Sequence, residues 1–269
     1  MKTRYLPDPD QLSAFAAVII LAYSLASIIE LPEQALTLQI PGVYFEININ
    51  MASVIGLLVA GLTASGAAWI IRSHPRQQHR ITIEHWLLPA LTAWAIGIPL
   101  LQGNLGLFWI VGVFLGGGVL LVVLIAEYTV VEPDDQFYTL SSITLTAISY
   151  ALFLIIAIGL RTAELRLFLL LPALTFANAL VNLRVFHLRL RGKWAWQLTG
   201  VSVLINAQLI TALHYLPLSP IQFGLFLLGP AYALTILLGA HAEGTPWQKS
   251  ITEPIAVLIL LTAFAWWLR

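Results

Sequence analysis

Long apolar segments separated by short polar connections dominate the hydropathy pattern of this chain. A helix that crosses a bilayer core of about 30 Å needs roughly 20 consecutive apolar residues. Measured against that length, the pattern predicts eight transmembrane helices, near residues 12–30, 49–71, 86–102, 105–126, 140–160, 167–183, 194–216 and 221–240. A ninth segment, 255–268, has only 14 residues and fits either a further span or an interfacial or re-entrant helix. The predicted fold is an all-α polytopic bundle of eight or nine transmembrane helices in one domain, 1–269.

One stretch departs from the helical pattern: residues 35–50, ALTLQIPGVYFEININ, alternate apolar and polar side chains. Folding the chain at Pro41-Gly42 places Ile40 opposite Val43 and puts the apolar residues on one face, as a half-buried hairpin requires. We therefore expect a short extracytoplasmic β-hairpin, about 36–48, between the first two helices. Its backbone edges would be unpaired in hydrocarbon. It would thus lie across the outer ends of the helices as a cap, as a lid over a cavity or as a docking edge.

Composition agrees with a lipid environment, because 59% of the residues are hydrophobic and 10% are charged, against roughly 25% charged in soluble domains. With the N-terminus inside, ten Lys and Arg residues lie in cytoplasmic segments and three lie outside, as the positive-inside rule requires. We therefore expect a multi-pass protein of the plasma (inner) membrane with a cytoplasmic N-terminus. The formal net charge is zero, which argues against a nucleic-acid partner; membrane lipids are the expected partners.

Short motifs recur in the two halves of the chain. LSAFAAVIILAY opens the first segment and LSSITLTAISY opens the fifth, while IAEYT and HAEGT end the fourth and the eighth. These matches predict a parallel 4+4 repeat of residues 12–127 and 140–243, followed by the C-terminal helix 255–268. Because apolar helices also resemble one another by chance, chance similarity remains the alternative.

Polar side chains within the predicted spans concentrate in the sixth and seventh. Asn178 and Asn182 are four residues apart and share one helical face. The candidate intramembrane site comprises Asn178, Asn182, Thr199, Ser202, Asn206 and Gln208. These groups either hydrogen-bond neighbouring helices together or line a groove for a small solute or a lipid headgroup. No Asp, Glu, Lys or Arg lies at the middle of a span, which argues against a proton- or ion-coupled pump.

Small residues predict close contacts between helices. They form a stripe at every fourth position of the second span and a GxxxG pair in the fourth: Ala52, Gly56, Ala60 and Ala64, then Gly112 and Gly116. Such seams allow backbones to approach closely. They would pack helices of the same chain together or bind another membrane protein.

Candidate chemistry is sparse. The chain has no cysteine, and its six histidines form neither an HExxH motif nor an i, i+4 pair within a span. We expect no catalytic residue, no metal site and no cofactor. The favoured function is a non-enzymatic structural or accessory membrane component, or one that binds lipid or a partner. One alternative is a transporter or channel for a neutral small molecule; another is a metal-dependent lipid hydrolase in which His85, His187 or His241 would meet a carboxylate.

Overall fold

The computed structural model describes residues 7–28, 34–40, 43–49, 51–74, 83–102 and 106–268. Helices account for most of these residues. Their bounds are α1 Pro9–Ile28, α2 Met51–Arg72, α3 Glu84–Gln102, α4 Leu107–Val130, α5 Tyr138–Thr162, α6 Leu167–Arg189, α7 Trp196–His214, α8 Pro220–Ala242, α9 Trp247–Ser250 and α10 Thr252–Trp267. The protein therefore has the architecture of an all-α helix bundle.

In the described ranges, eight helices are long and apolar enough to cross a membrane. The prediction of a polytopic helical membrane protein is confirmed at this level. The set differs from the predicted one in two places. The C-terminal segment Gln248–Trp267 is among the eight. α3 is not, and it carries Glu84 in its first turn and two internal prolines, Pro89 and Pro99.

Two strands lie between α1 and α2: β1 Gln34–Ile40 and β2 Val43–Ile49. They pair antiparallel, with Gln34 opposite Ile49 and Ile40 opposite Val43. Residues 41–42 and the side chains of both strands lie outside the described residues. The predicted hairpin at about 36–48, with its turn, its apolar face and its extracytoplasmic location, therefore stays a prediction.

The chain divides into two compact units, Met1–Tyr128 (unit 1) and Thr129–Arg269 (unit 2). The boundary falls in the last turn of α4. Each unit contains four long helices joined in sequence, and unit 2 also contains α9 and α10. Whether the units descend from a duplicated ancestor is a separate question, and the predicted 4+4 repeat stays a prediction.

In unit 1, consecutive helices run in opposite directions. α1 packs against α2 so closely that a Cβ placed on Gly66 would overlap the ring of Phe15. α1 also contacts α3, where the Tyr23 hydroxyl donates to the carbonyl oxygen of Ala93. Apolar side chains of all four helices form the core between them, including Ile19, Val59, Leu100 and Leu124.

The small residues of α4 pack against α3. A Cβ on Gly116 would lie 2.6 Å from Ile96, and one on Gly112 would lie 3.1 Å from Leu100. Gly56 of α2 likewise faces the C-terminal end of α3. These three small residues therefore bring helices of the same unit together, while a further role for the small-residue seams in binding another protein stays a prediction.

In unit 2, α5 to α8 also alternate in direction, and α10 runs antiparallel to α8 on its outer side. Gly229 of α8 lies against Leu258 of α10, and the Gln222 side chain donates to the carbonyl oxygen of Ala265. Gln222 also completes a capping box with Ser219 at the start of α8, which satisfies backbone groups at that helix terminus.

Candidate functional site: a buried polar core in unit 2

Asn182 is fully buried in unit 2 and connects three helices. Its Nδ2 donates to Ser202 Oγ of α7 at 2.9 Å and, over 3.3 Å, to Asn178 Oδ1 on its own helix. Its Oδ1 accepts from Thr235 Oγ1 of α8 at 2.7 Å. The amide therefore bonds α6 to both α7 and α8, and an apolar residue at this position would remove both contacts.

One helical turn away lies a second set of buried polar groups, which we call the polar layer: Tyr150, Asn178 and Asn206. All three are almost completely buried, and each has an atom without a hydrogen-bond partner among the described residues: Tyr150 Oη, Asn178 Nδ2 and Asn206 Oδ1. Asn178 and Asn206 face each other, because each lies four residues beyond the Asn182–Ser202 pair on antiparallel helices. Thr199 Oγ1, one turn from Ser202 in the opposite direction along α7, is also buried and has no hydrogen-bond partner in the described ranges.

Tyr150 joins this layer from α5. Its ring packs edge-on against Tyr232 of α8, with centroids 5.1 Å apart. Its hydroxyl lies beside that of Thr235 without reaching hydrogen-bond geometry. The polar layer thus receives one group from each of α5, α6 and α7, and the Asn182–Thr235 bond borders it.

The polar layer lies at the midpoints of its helices. Tyr150 is the central residue of α5, Asn178 is the central residue of α6, and Asn206 is next to the centre of α7. If these helices cross the bilayer, their midpoints lie near its midplane, where membrane proteins often place sites for polar solutes. An unpaired polar atom at this depth raises the free energy of the folded protein, because hydrocarbon provides no hydrogen-bond partner.

Arginine side chains bond elements of unit 2 together on both sides of the polar layer. At one end, Arg189 of α6 makes a bidentate pair with Glu243, at 2.7 and 2.9 Å, and it also donates to the Ile236 carbonyl oxygen. At the other end, Arg161 donates to the carbonyl oxygens of His214 and Leu216, both at 3.3 Å. These contacts bind α6 to α8 and bind α5 to the α7–α8 connection.

A protein-family profile whose description reads "Protein of unknown function (DUF5656)" matches residues 31–268. The chain belongs to the DUF5656 family. No curated protein and no solved structure matches it significantly.

Five of the six residues predicted to form a site in this DUF5656 protein are buried in the polar core: Asn178, Asn182, Thr199, Ser202 and Asn206. Gln208 is exposed, on a different face of α7. Two further members, Tyr150 and Thr235, were not predicted, because they lie on α5 and α8, outside the two spans in which the sequence concentrates polar side chains. What the site does stays a prediction.

Glu253 also went unrecognised, because the predicted ninth helix began after it. It belongs to the apolar segment Gln248–Trp267 and accepts a 2.6 Å hydrogen bond from the Tyr232 hydroxyl. Glu127 and Arg184 are fully buried near the ends of α4 and α6. All three charged residues lie toward the ends of their helices, away from the central turns to which the sequence argument referred.

Unit 1 of the DUF5656 protein contains a buried histidine–carboxylate pair, with His85 Nδ1 2.7 Å from Glu127 Oε2. Nearby, the His74 ring packs edge-on against Tyr128. Within the described part of the chain, no group of three or more His, Asp and Glu side chains could hold a metal ion. His187, another histidine considered for a hydrolase, lies 3.2 Å from an arginine, Arg184.

Proposed function

We propose that this DUF5656 protein is a non-enzymatic membrane component, a structural or accessory subunit that contacts lipids and partner proteins through the outer faces of its helices. One observation carries the proposal: Asn182 uses its side-chain amide to hold α6, α7 and α8 together. Interhelical hydrogen bonds of this kind stabilise membrane bundles. A polar group employed in this way is a structural element of the bundle.

The arginine pairs support the same function. Two arginines hold unit 2 together on both sides of its polar core. Arg189 pairs with Glu243, and Arg161 bonds the α7–α8 connection. A carrier alternates between states in which its site opens to one side of the membrane. In unit 2 such opening would break these contacts, whereas a structural component keeps them.

The outer faces of the helices offer the contact surface. On α4, Phe108 is 93% exposed and Phe114 is 75% exposed. On α10, Trp266 and Trp267 are similarly exposed at the C-terminal end. Aromatic residues at a helix end suit the membrane interface, and membrane lipids would cover the apolar side chains along both helices.

Solute uptake by proteoliposomes tests the proposal. Purified protein is reconstituted and the uptake of uncharged solutes such as glycerol is compared with that of protein-free liposomes. We expect equal, background uptake for the native protein and for an Asn206→Leu variant. Uptake above background that the variant loses would refute the structural function and establish a carrier for neutral solutes.

The proposal includes a topology in the plasma membrane, with the N-terminus in the cytoplasm and the β1–β2 segment outside as a cap over the helix ends. The distribution of Lys and Arg supports it. Because the chain has no cysteine, single cysteines at Ser13 and Thr37 can be labelled separately in intact cells. A membrane-impermeant maleimide should reach only Thr37→Cys, and labelling of Ser13→Cys alone would invert the topology.

A further inference from the structure

The three unpaired atoms of the polar layer complement one another but do not bond. Asn178 Nδ2 is a donor, Asn206 Oδ1 is an acceptor, and the Tyr150 hydroxyl serves as either. At hydrogen-bond distance they would pair, as Asn182 and Ser202 do one turn away. Each instead remains without a partner in the described part of the chain. The three atoms therefore do not satisfy one another, whereas a small hydrogen-bonding molecule bound among them would satisfy them.

The other atoms of these side chains are already engaged. Asn178 Oδ1 accepts from Asn182, and Asn206 Nδ2 donates to the Ser202 carbonyl oxygen. These bonds fix the orientation of both amides, so neither can rotate its free atom away without losing a contact. The unpaired donor and the unpaired acceptor are thus held in place on opposite helices.

We propose that the polar layer is a binding site for a small uncharged molecule that carries an acceptor and a donor on neighbouring atoms, as an amide does. The ligand's oxygen accepts from Asn178 Nδ2, its N–H donates to Asn206 Oδ1, and Tyr150 provides a third contact. The ligand is neutral because the polar layer contains no charged side chain, and a buried charge without a counter-charge is strongly disfavoured.

The site is independent of the structural function proposed above, since binding requires only local opening of the helices and no net transport. A flux experiment and a binding experiment therefore give separate answers. Background uptake together with saturable binding would agree with both proposals. Uptake above background would refute only the structural function, and absence of binding would refute only the ligand site.

Side-chain amide resonances of asparagine offer a direct readout. The protein is labelled with ¹⁵N-asparagine, purified in detergent micelles and titrated with acetamide, which is uncharged, and with acetate, which has a similar shape but is charged. We expect acetamide to shift the Asn178 and Asn206 resonances saturably, and acetate to leave them unchanged. If acetamide produces no saturable shift, as expected for a site that holds only water, the proposal is wrong. If acetate shifts the resonances as much as acetamide does, the ligand is not restricted to neutral molecules.

Two variants locate the site. Asn206→Leu should weaken the acetamide response of Asn178 at least tenfold, whereas Gln208→Leu, which also replaces an amide with leucine but on an exposed face of α7, should preserve it. Tyr150→Phe removes only one hydroxyl and should weaken binding severalfold, so it provides the test if Asn206→Leu fails to fold. An unchanged response in a folded Asn206→Leu or Tyr150→Phe variant would refute the site.

Discussion

Replacing Asn182 with leucine should loosen unit 2 by a measurable amount. The variant loses two interhelical bonds, to Ser202 of α7 and to Thr235 of α8, and the longer bond to Asn178 within α6. Leucine has the same number of side-chain heavy atoms as asparagine and a similar branched shape, so loss of hydrogen bonds dominates the effect. Thr235 retains its bond to the carbonyl oxygen of Ala231, which limits the penalty for the partner left behind.

The magnitude follows from the number of bonds. Interhelical hydrogen bonds in membrane proteins contribute about 0.6 kcal/mol on average and up to about 2 kcal/mol each. Two lost bonds therefore predict a decrease of about 1–4 kcal/mol in the free energy of unfolding. The upper part of that range is favoured, because Asn182 is fully buried and the Ser202 hydroxyl loses its amide donor.

Unfolding in mixed micelles, followed by far-ultraviolet circular dichroism as the fraction of dodecyl sulfate rises, measures this change. Gln208→Leu is the control, because it also replaces a side-chain amide with leucine, at an exposed position of α7, and should leave stability nearly unchanged. A double-mutant cycle with Ser202→Ala isolates the α6–α7 bond. An Asn182→Leu variant no less stable than Gln208→Leu would refute the structural reasoning.

Three other changes have expected outcomes. Gly66→Ala should destabilise unit 1 by about 1–3 kcal/mol, because its Cβ would overlap Phe15. Gly118→Ala is the control and should leave stability unchanged, because the space around Gly118 is open. Equal unfolding midpoints for the two variants would contradict this prediction. Glu243→Gln should cost at most about 1 kcal/mol, since the ion pair is partly exposed, and a difference unaffected by salt would argue against the pairing. Dicyclohexylcarbodiimide, an apolar reagent, should modify Glu253 before exposed carboxylates in the loops; mass spectrometry showing the reverse order would place Glu253 in water.

The helical architecture was predictable from the sequence because lipid leaves the backbone few alternatives. A segment in hydrocarbon must satisfy its hydrogen bonds internally, so long apolar runs become helices. α3 lies outside the set of spanning candidates, with polar residues at both ends and two internal prolines, although it packs along α2 as a full-length helix.

The polar core was predictable only in part. Helical spacing placed Asn178 with Asn182 and Ser202 with Asn206, since residues four apart share a face. Spacing alone did not identify the inner face of α7, so Gln208 was included although it is exposed. Tyr150 and Thr235 lie 85 residues apart in the chain, and only the packing of α5 against α8 brings them together.

Residue depth in the bilayer tests most directly whether the polar layer lies at the membrane midplane. Since the chain has no cysteine, a nitroxide can be attached at one position: at Leu204→Cys, two residues from Asn206 and 66% exposed, or at Tyr215→Cys, beyond the end of α7 and 74% exposed. In proteoliposomes, the Leu204 label should collide readily with oxygen and rarely with a water-soluble nickel chelate, and the Tyr215 label should do the opposite. A Leu204 label as accessible to the nickel chelate as the Tyr215 label would contradict a polar layer in the middle of the membrane.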